Sequence, residues 1–212
     1  MNRHIELGIA DRDESRPFVH TDHNTEDVAA LAIMVARLRQ FLTDSEGQAA
    51  LALFQPYELH SPQGRRLRMV VNQPEALRAG CDLPLVGFFG KRRPVVPPGV
   101  DVDKDTIDLE MIAEFPNYPG VLAYCSMALN DVDFGNLVLL EHADYNEQWR
   151  TSARHAIASR VIAPQYYSTV RLHNGVLPGG LFGGQVPVLL RTKYYDYQGD
   201  WPWSAVREYS QA

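Results

Sequence analysis

Between Leu85 and Leu177 the chain switches between two hydrophobic periods in a fixed order, and that order limits the folds open to it. Leu85–Lys91 (LVGFFGK) reads as a strand, Asp105 to about Phe115 as a short helix, and Val121–Leu129 and Gly135–His142 as two more strands. Glu147 to Ile162 has no Gly or Pro and reads as one helix. At about 100° per residue, Trp149, Ala153, Ala156, Ile157 and Arg160 share one side of it, a narrow stripe of mostly small residues that suits close approach to a sheet. Pro164 lacks an N–H and disfavours helical geometry at Ala163, so the helix is expected to stop there. Ser168–Leu177 then alternates, with Val170 and Leu172 pointing one way and Arg171 and His173 the other. Asn174-Gly175 marks a bend or bulge.

The resulting β-α-β-β-α-β order is the ferredoxin-like pattern, an α+β unit with an antiparallel sheet and two helices on one face. Residues 1–84 precede it with a looser β-α-β-β. That segment has a short strand over 4–10 and a helix capped by Asn24, running to about Leu42 with Val28, Leu31, Ala32, Val35, Leu38 and Leu42 as its apolar face. Strands over 48–59 and 65–71 follow, joined by the hairpin-like His60-Ser-Pro-Gln-Gly64. This segment reads as an extension or as a degenerate first copy of the unit. Residues 178–212 begin with PGGLFGGQ, which suits a mobile loop or lid. A last Tyr-rich strand over 186–197 follows, and a WPW segment is expected to anchor the tail. The organisation expected is therefore 1–84, 85–177 and 178–212.

Composition narrows the function classes. A net charge of −6 and a pI near 5.6 argue against nucleic acid or an anionic membrane as partner. No apolar run approaches the roughly 18–20 residues of a membrane span, and the N-terminus is too charged for a signal peptide, so a cytoplasmic protein is expected. Cys81 and Cys125 make neither a disulfide framework nor a zinc site.

The run from the strand Asn136–His142 into Asn146-Glu-Gln-Trp149-Arg-Thr-Ser152-Ala-Arg-His155 resembles the dimeric α+β barrel superfamily. Its members include antibiotic-biosynthesis-type and haem-degrading monooxygenases, EthD-like proteins and chlorite-dismutase-like haem proteins. FPNYPGVLAY (115–124) is similar to the helix-to-strand join of such proteins. The resemblance covers roughly residues 85–177. It implies a homodimer or an intrachain pseudo-dimer, a small-molecule pocket between sheet and helices, and chemistry with or without haem.

Several residues are candidates for that pocket. His155 reads as an axial ligand or general base, or plainly as a surface or capping residue; Trp149 reads as a pocket wall or a core anchor. Arg171 and His173 share a face that either meets water or lines a polar pocket, because buried unpaired charge is costly. In a pocket, Arg171 would hold an anionic group and His173 would move a proton. Tyr124, with Ser126 beside it and opposite Val121, Ala123, Cys125 and Met127, joins Tyr167, Asn136 and His142 as substrate-binding candidates or as ordinary strand packing. His20, Asp22 and His23 could ligate a divalent ion but also suit a solvated loop, and no metal is assigned. PGGLFGG lacks the ending of a phosphate-binding loop, and no GxSxG elbow occurs. Three functions remain: an oxygenase-type reaction on an aromatic or conjugated substrate, a cofactor-free cyclase, isomerase or dehydratase, and a non-catalytic ligand-binding protein.

Overall fold

The computed structural model describes residues 5–199 and 201–209. In chain order, β1 (Ile5–Leu7) leads to α1 (Asp22–Thr43) and the short α2 (Ser45–Ala50). β2 (Pro56–His60) and β3 (Arg66–Val71) follow, then one turn of helix, α3 (Pro74–Leu77), and β4 (Leu83–Arg92). Next come α4 (Val100–Ala113), β5 (Val121–Ala128) and β6 (Phe134–Leu140). A broken helical layer follows: α5 (Asp144–Trp149), α6 (Ala153–Ile157), a π-helical turn (Ala158–Ile162) and α7 (Ala163–Tyr166). β7 (Tyr167–Leu177), β8 (Val188–Asp196) and β9 (Trp203–Glu208) end the described chain.

Among the described residues, the nine strands join one open mixed sheet, in the order β1-β9-β8-β7-β4-β6-β5-β3-β2. β1 pairs parallel with β9, and the other neighbours are antiparallel. The elements expected from the six-part order are adjacent at the centre. Residues 1–84, by contrast, are divided: β1 forms one edge, β2 and β3 the other, and α1 crosses a face. The strand expected over 4–10 shortens to β1, and its His4 lies outside the described residues. The strand expected over 48–59 is α2, a loop and then β2. Asp44 precedes SEGQAA with extended geometry, as an N-cap does, and Phe54 in the loop has φ 63°, which no strand interior tolerates. β9, which the sequence reading treated only as a tail, completes the register Lys193↔Val206 with β8.

Helices cover both faces of the sheet, α4 and the 144–166 layer one and α1 the other. β4 and β6 carry near-continuous apolar runs (LVGFF, LVLL), and such strands need cover on both sides. On the first face, Leu31, Met34, Leu38 and Leu42 of α1 pack against Leu67, Met69, Leu85, Phe89, Cys125 and Leu139. Each such side chain contributes roughly 1.5–3 kcal/mol by leaving water. α1 lies so close that a Cβ at Gly87 would come within 3.2 Å of Leu31. On the second face, α4 and the 144–166 layer bury Ile112, Phe115 and Trp149 against Val70, Tyr124 and Val138, and Ile107, Ile162 and Tyr166 against Val170. A register shift between Val121 and Ala123 turns Val121 to this second face, although simple alternation puts it with Ala123.

The helix expected over 147–162 is interrupted. Ser152 takes an extended ψ of 134° and caps α6, its hydroxyl accepting from the His155 N–H at 3.2 Å. Pro164 does not stop a helix but opens α7, where its missing N–H has no intrahelical partner to lose. PGGLFGGQ lies on the α1 face. Gly179, Gly180 and Gly184 have φ of 67°, 69° and 75°, Leu181 is fully buried in the α1 core, and its carbonyl accepts from Arg39 Nε at 2.7 Å. Among the described residues, no helix is long and apolar enough to cross a membrane.

Candidate functional site

Because side chains alternate along each strand, one residue in two from the central strands faces the 144–166 layer. The layer does not fill the space above them, and a cavity of about 570 Å³ remains. Its floor is Val86 and Phe88 from β4, Tyr124 and Ser126 from β5, Asn136 and Val138 from β6, Leu172 and Asn174 from β7, and Lys193 and Tyr195 from β8. Its roof is Ile107, Asp108 and Met111 of α4, Trp149 of α5, His155 and Ala156 of α6, and Ser159 and Ile162 of the π turn. Single π turns in helices recur at functional sites. At one end, Tyr167 closes the floor. Its ring meets Phe88 edge-on at 5.2 Å and occupies the space a side chain at Gly90 would take.

Rings and aliphatic side chains share this space with polar groups, among them Asp108, Ser126, Asn136, Asn174 and Lys193. Trp149 packs on Phe115 at 5.7 Å and meets the His155 ring edge-on at 5.3 Å, while its buried Nε1 has no hydrogen-bond acceptor. Asn136 Oδ1 is likewise buried without a donor. Burial, then the nearby Arg150 and Arg160, hold the His155 imidazole below its ordinary pKa of 6.5, so it is neutral at pH 7. Ser152 fixes its backbone from one side and donates to the Glu114 carboxylate on the other. Burial raises the phenols of Tyr124 and Tyr167 well above 10.0, so both stay protonated. Tyr124 donates to Asp108 at 3.3 Å, and Asp108 pairs with Arg68. A smaller cavity of about 230 Å³ adjoins this end, sharing Lys104, Ser126 and Phe134 and adding Arg66 and Arg68.

Of the residues singled out in the sequence, the cavity collects His155, Trp149, Tyr124, Tyr167 and Asn136. His142 is elsewhere: β6 ends at Leu140, and His142 is exposed beside Tyr145, its ring stacked at 6.0 Å. Arg171 and His173 do share a face, but it is the α1 face. Arg171 donates twice to Asp27, at 2.7 Å to each oxygen, and His173 Nε2 meets the same carboxylate at 2.8 Å. His173 Nδ1 lies 2.7 Å from Thr192 Oγ1, which reaches the Tyr209 hydroxyl at 3.0 Å. This carboxylate–imidazole–hydroxyl chain has the connectivity of a nucleophilic relay. His173 and Thr192 are both 0% exposed and neither lines the two cavities described above, so the chain reads as a structural network.

The sequence reading missed Asp27, Phe88, Leu172, Lys193 and Tyr195. Asp27 stands four residues before Leu31, on the apolar stripe of its helix, and an acid there needs a buried cation. Lys193, Tyr195 and Tyr197 are spaced by two in the strand already expected over 186–197, which puts all three on one face. Near the N-terminus, Asp22 pairs with Arg12 at 3.0 Å and His20 Nε2 donates to the Asp13 carbonyl at 3.3 Å. Among the described residues, no three His, Cys, Asp or Glu side chains are placed to hold a metal ion. Among the described residues, His155 is the one histidine lining the cavity and so the one that could offer an imidazole to a haem there; both ring nitrogens of His173 are engaged on the other face. Comparison with models of known families, with curated proteins and with solved structures found no match for this chain.

Proposed function

We propose that the chain is an enzyme acting on a small aromatic or conjugated molecule, which lies in the cavity beneath 144–166 and gives up a proton to His155. The observation that carries this reading is a neutral, partly buried imidazole beside an unpaired indole N–H, in a cavity where Phe88, Leu172 and other rings and aliphatic side chains alternate with polar groups. A flat substrate stacks over Phe88 and Leu172, the Trp149 N–H donates to an oxygen on it, and Asn136 Oδ1 accepts from a hydroxyl. Proton loss to His155 leaves an anion spread over the conjugated system. That anion eliminates, cyclises or shifts a double bond in the cofactor-free version of the reading; in the oxygenase version it is oxidised by O₂. The central unit is read as ferredoxin-like, supported by the strand order β7-β4-β6-β5 with α4 and the 144–166 layer on one face. Its likeness to dimeric α+β barrel proteins makes a homodimer the assembly proposed.

Two probes test this. 2-Naphthol should quench Trp149 fluorescence saturably at one equivalent per chain, and Trp149→Phe should abolish the change. 2-Tetralone, an aromatic ketone with acidic C–H bonds, should exchange hydrogen for deuterium in D₂O, followed by NMR. A general base contributes about 10²–10⁴-fold, so His155→Ala should lose that factor. The rate should rise with pH through a pKa below 6.5. Exchange no faster than in buffer, or equal in His155→Ala, overturns the reading. Oxygen uptake during turnover separates its two versions, and a haemin titration with a Soret band lost in His155→Ala would add haem.

A further inference from the structure

The chain has only three lysines, Lys91, Lys104 and Lys193, among twenty basic side chains. Lys91 is exposed at the end of β4. Lys104 is committed to Asp105 at 3.2 Å and to the Phe134 ring at 5.2 Å. Lys193 is different. It projects from the middle of β8 into the cavity, with Leu172 paired across from it on β7 and Tyr195 next on its own face. Among the described residues no hydrogen bond or ion pair engages its amine; Arg191, two residues away, is paired with Glu208. An arginine would serve as well for charge alone, and nearly all of the chain's cations are arginines. An amine differs in that it can lose its proton and attack a carbon.

We propose that Lys193 is an imine-forming residue and that the substrate of the cavity carries an aldehyde or ketone carbonyl. This rests on the proposed use of the cavity and names the class of substrate. The neutral Nζ adds to the carbonyl carbon, and the C=O electron pair moves to oxygen. The carbinolamine oxygen is protonated and leaves as water, giving C=N. Amine and carbonyl thus become imine and water, with no net oxidation or reduction. The protonated imine draws electrons from the adjacent carbon and acidifies its C–H, the bond at which the neutral His155 acts as base. Hydrolysis of the imine afterwards frees Lys193. The environment shifts the amine toward its free form: burial, then the positive charges of Arg191 and Arg150, lower its pKa from 10.5, opposed more weakly by Glu147 and Glu208.

Reductive trapping tests the assignment. The full chain is incubated with 2-tetralone and sodium cyanoborohydride, and the adduct is located by intact mass and peptide mapping. One adduct per chain on Lys193, formed at least tenfold faster than on Lys91 or Lys104 and absent in Lys193→Arg, is the expected result. Lys193→Arg keeps the charge and cannot form the imine, and its circular dichroism spectrum and urea midpoint should show that it folds. No adduct, or labelling spread evenly over the three lysines, overturns the proposal. The failures are separable. His155-dependent exchange of 2-tetralone without a Lys193 adduct leaves the cavity reading intact and removes the imine. A Lys193 adduct without exchange removes His155 as the base and keeps the imine.

Discussion

Replacing Asp27 with Ala separates a structural network from a catalytic one. Asp27 is 2% exposed and takes three hydrogen bonds, two from Arg171 and one from His173, each at 2.7–2.8 Å. Without the carboxylate, a guanidinium that is 16% exposed and an imidazole that is fully buried face each other with no acceptor. Removing one partner of a buried ion pair costs about 3–5 kcal/mol, because the other charge stays desolvated. For a domain of this size 1 kcal/mol moves the midpoint by about 2–4 °C, so Tm should fall by about 6–20 °C. Urea and thermal melts followed by circular dichroism read the loss. The triple replacement Asp27→Leu, Arg171→Met, His173→Leu removes every charge together and should recover most of it. A loss under about 1 kcal/mol for Asp27→Ala, or no recovery in the triple variant, refutes the account.

The pH dependence has a definite sign. Burial would raise the Asp27 carboxyl pKa, but hydrogen bonds from Arg171 and then His173 outweigh it and hold the group below 3.8. A group depressed in the folded state stabilises fully above its unfolded pKa and loses that stabilisation as pH falls through the folded value. The gap between wild type and Asp27→Ala should therefore be widest near neutrality and close below about pH 4. Binding of 2-naphthol on the opposite face of the sheet should not change in folded Asp27→Ala.

Two further substitutions probe the frame of the site. Leu181→Ala empties a fully buried position in the Gly-rich segment and should cost about 2–5 kcal/mol in a urea melt; a neutral result would mean the segment is not anchored. Ser152→Ala removes the α6 cap and should cost about 1 kcal/mol. It should also lower the exchange rate of 2-tetralone, since the Glu114–Ser152–His155 contacts position the imidazole. Unchanged exchange would mean that α6 holds its place without the cap.

The central strands and α1 were legible because their signals are periodic and long. Val170 to His173 alternates cleanly, and the order from Leu85 to Leu177 does place neighbouring strands at the sheet centre. Which face each alternating set meets was not legible, because a strand buried on both sides gives no polar side to orient it. That is why Arg171 and His173 read as pocket residues: the cation that needs a partner looks the same whether a ligand or Asp27 supplies it. The break at Ser152 was hidden for a different reason. Ala153–Ile157 has good helix formers on either side of it, and only the short side-chain bonds of Ser152 to His155 N–H and Glu114 decide that the helix restarts there. β9 was missed because Trp203–Glu208 is a short strand following a proline, and its pairing with β8 is fixed by burial of Ala205 and Val206 and not by a strong local pattern.

The two sheet faces have opposite solutions to the same problem. On the α1 face the Asp27 carboxylate, Arg171 and His173 find their partners within the chain, and a Cβ at Gly87 would come within 3.2 Å of Leu31. On the other face the helix that could have filled the space is broken at Ser152 and widened by a π turn at Ala158–Ile162. Trp149 Nε1 and Asn136 Oδ1 are left there without partners. Buried unsatisfied groups cost about 1–3 kcal/mol each, a cost that a molecule bound in the cavity can offset at Trp149 and Asn136. Polar atoms left open beside a neutral imidazole and an unpaired amine favour a ligand that is flat, conjugated and electrophilic. That same set of groups is why the proposed chemistry is assigned to the space under 144–166 and not to the relay-like Asp27–His173–Thr192 chain.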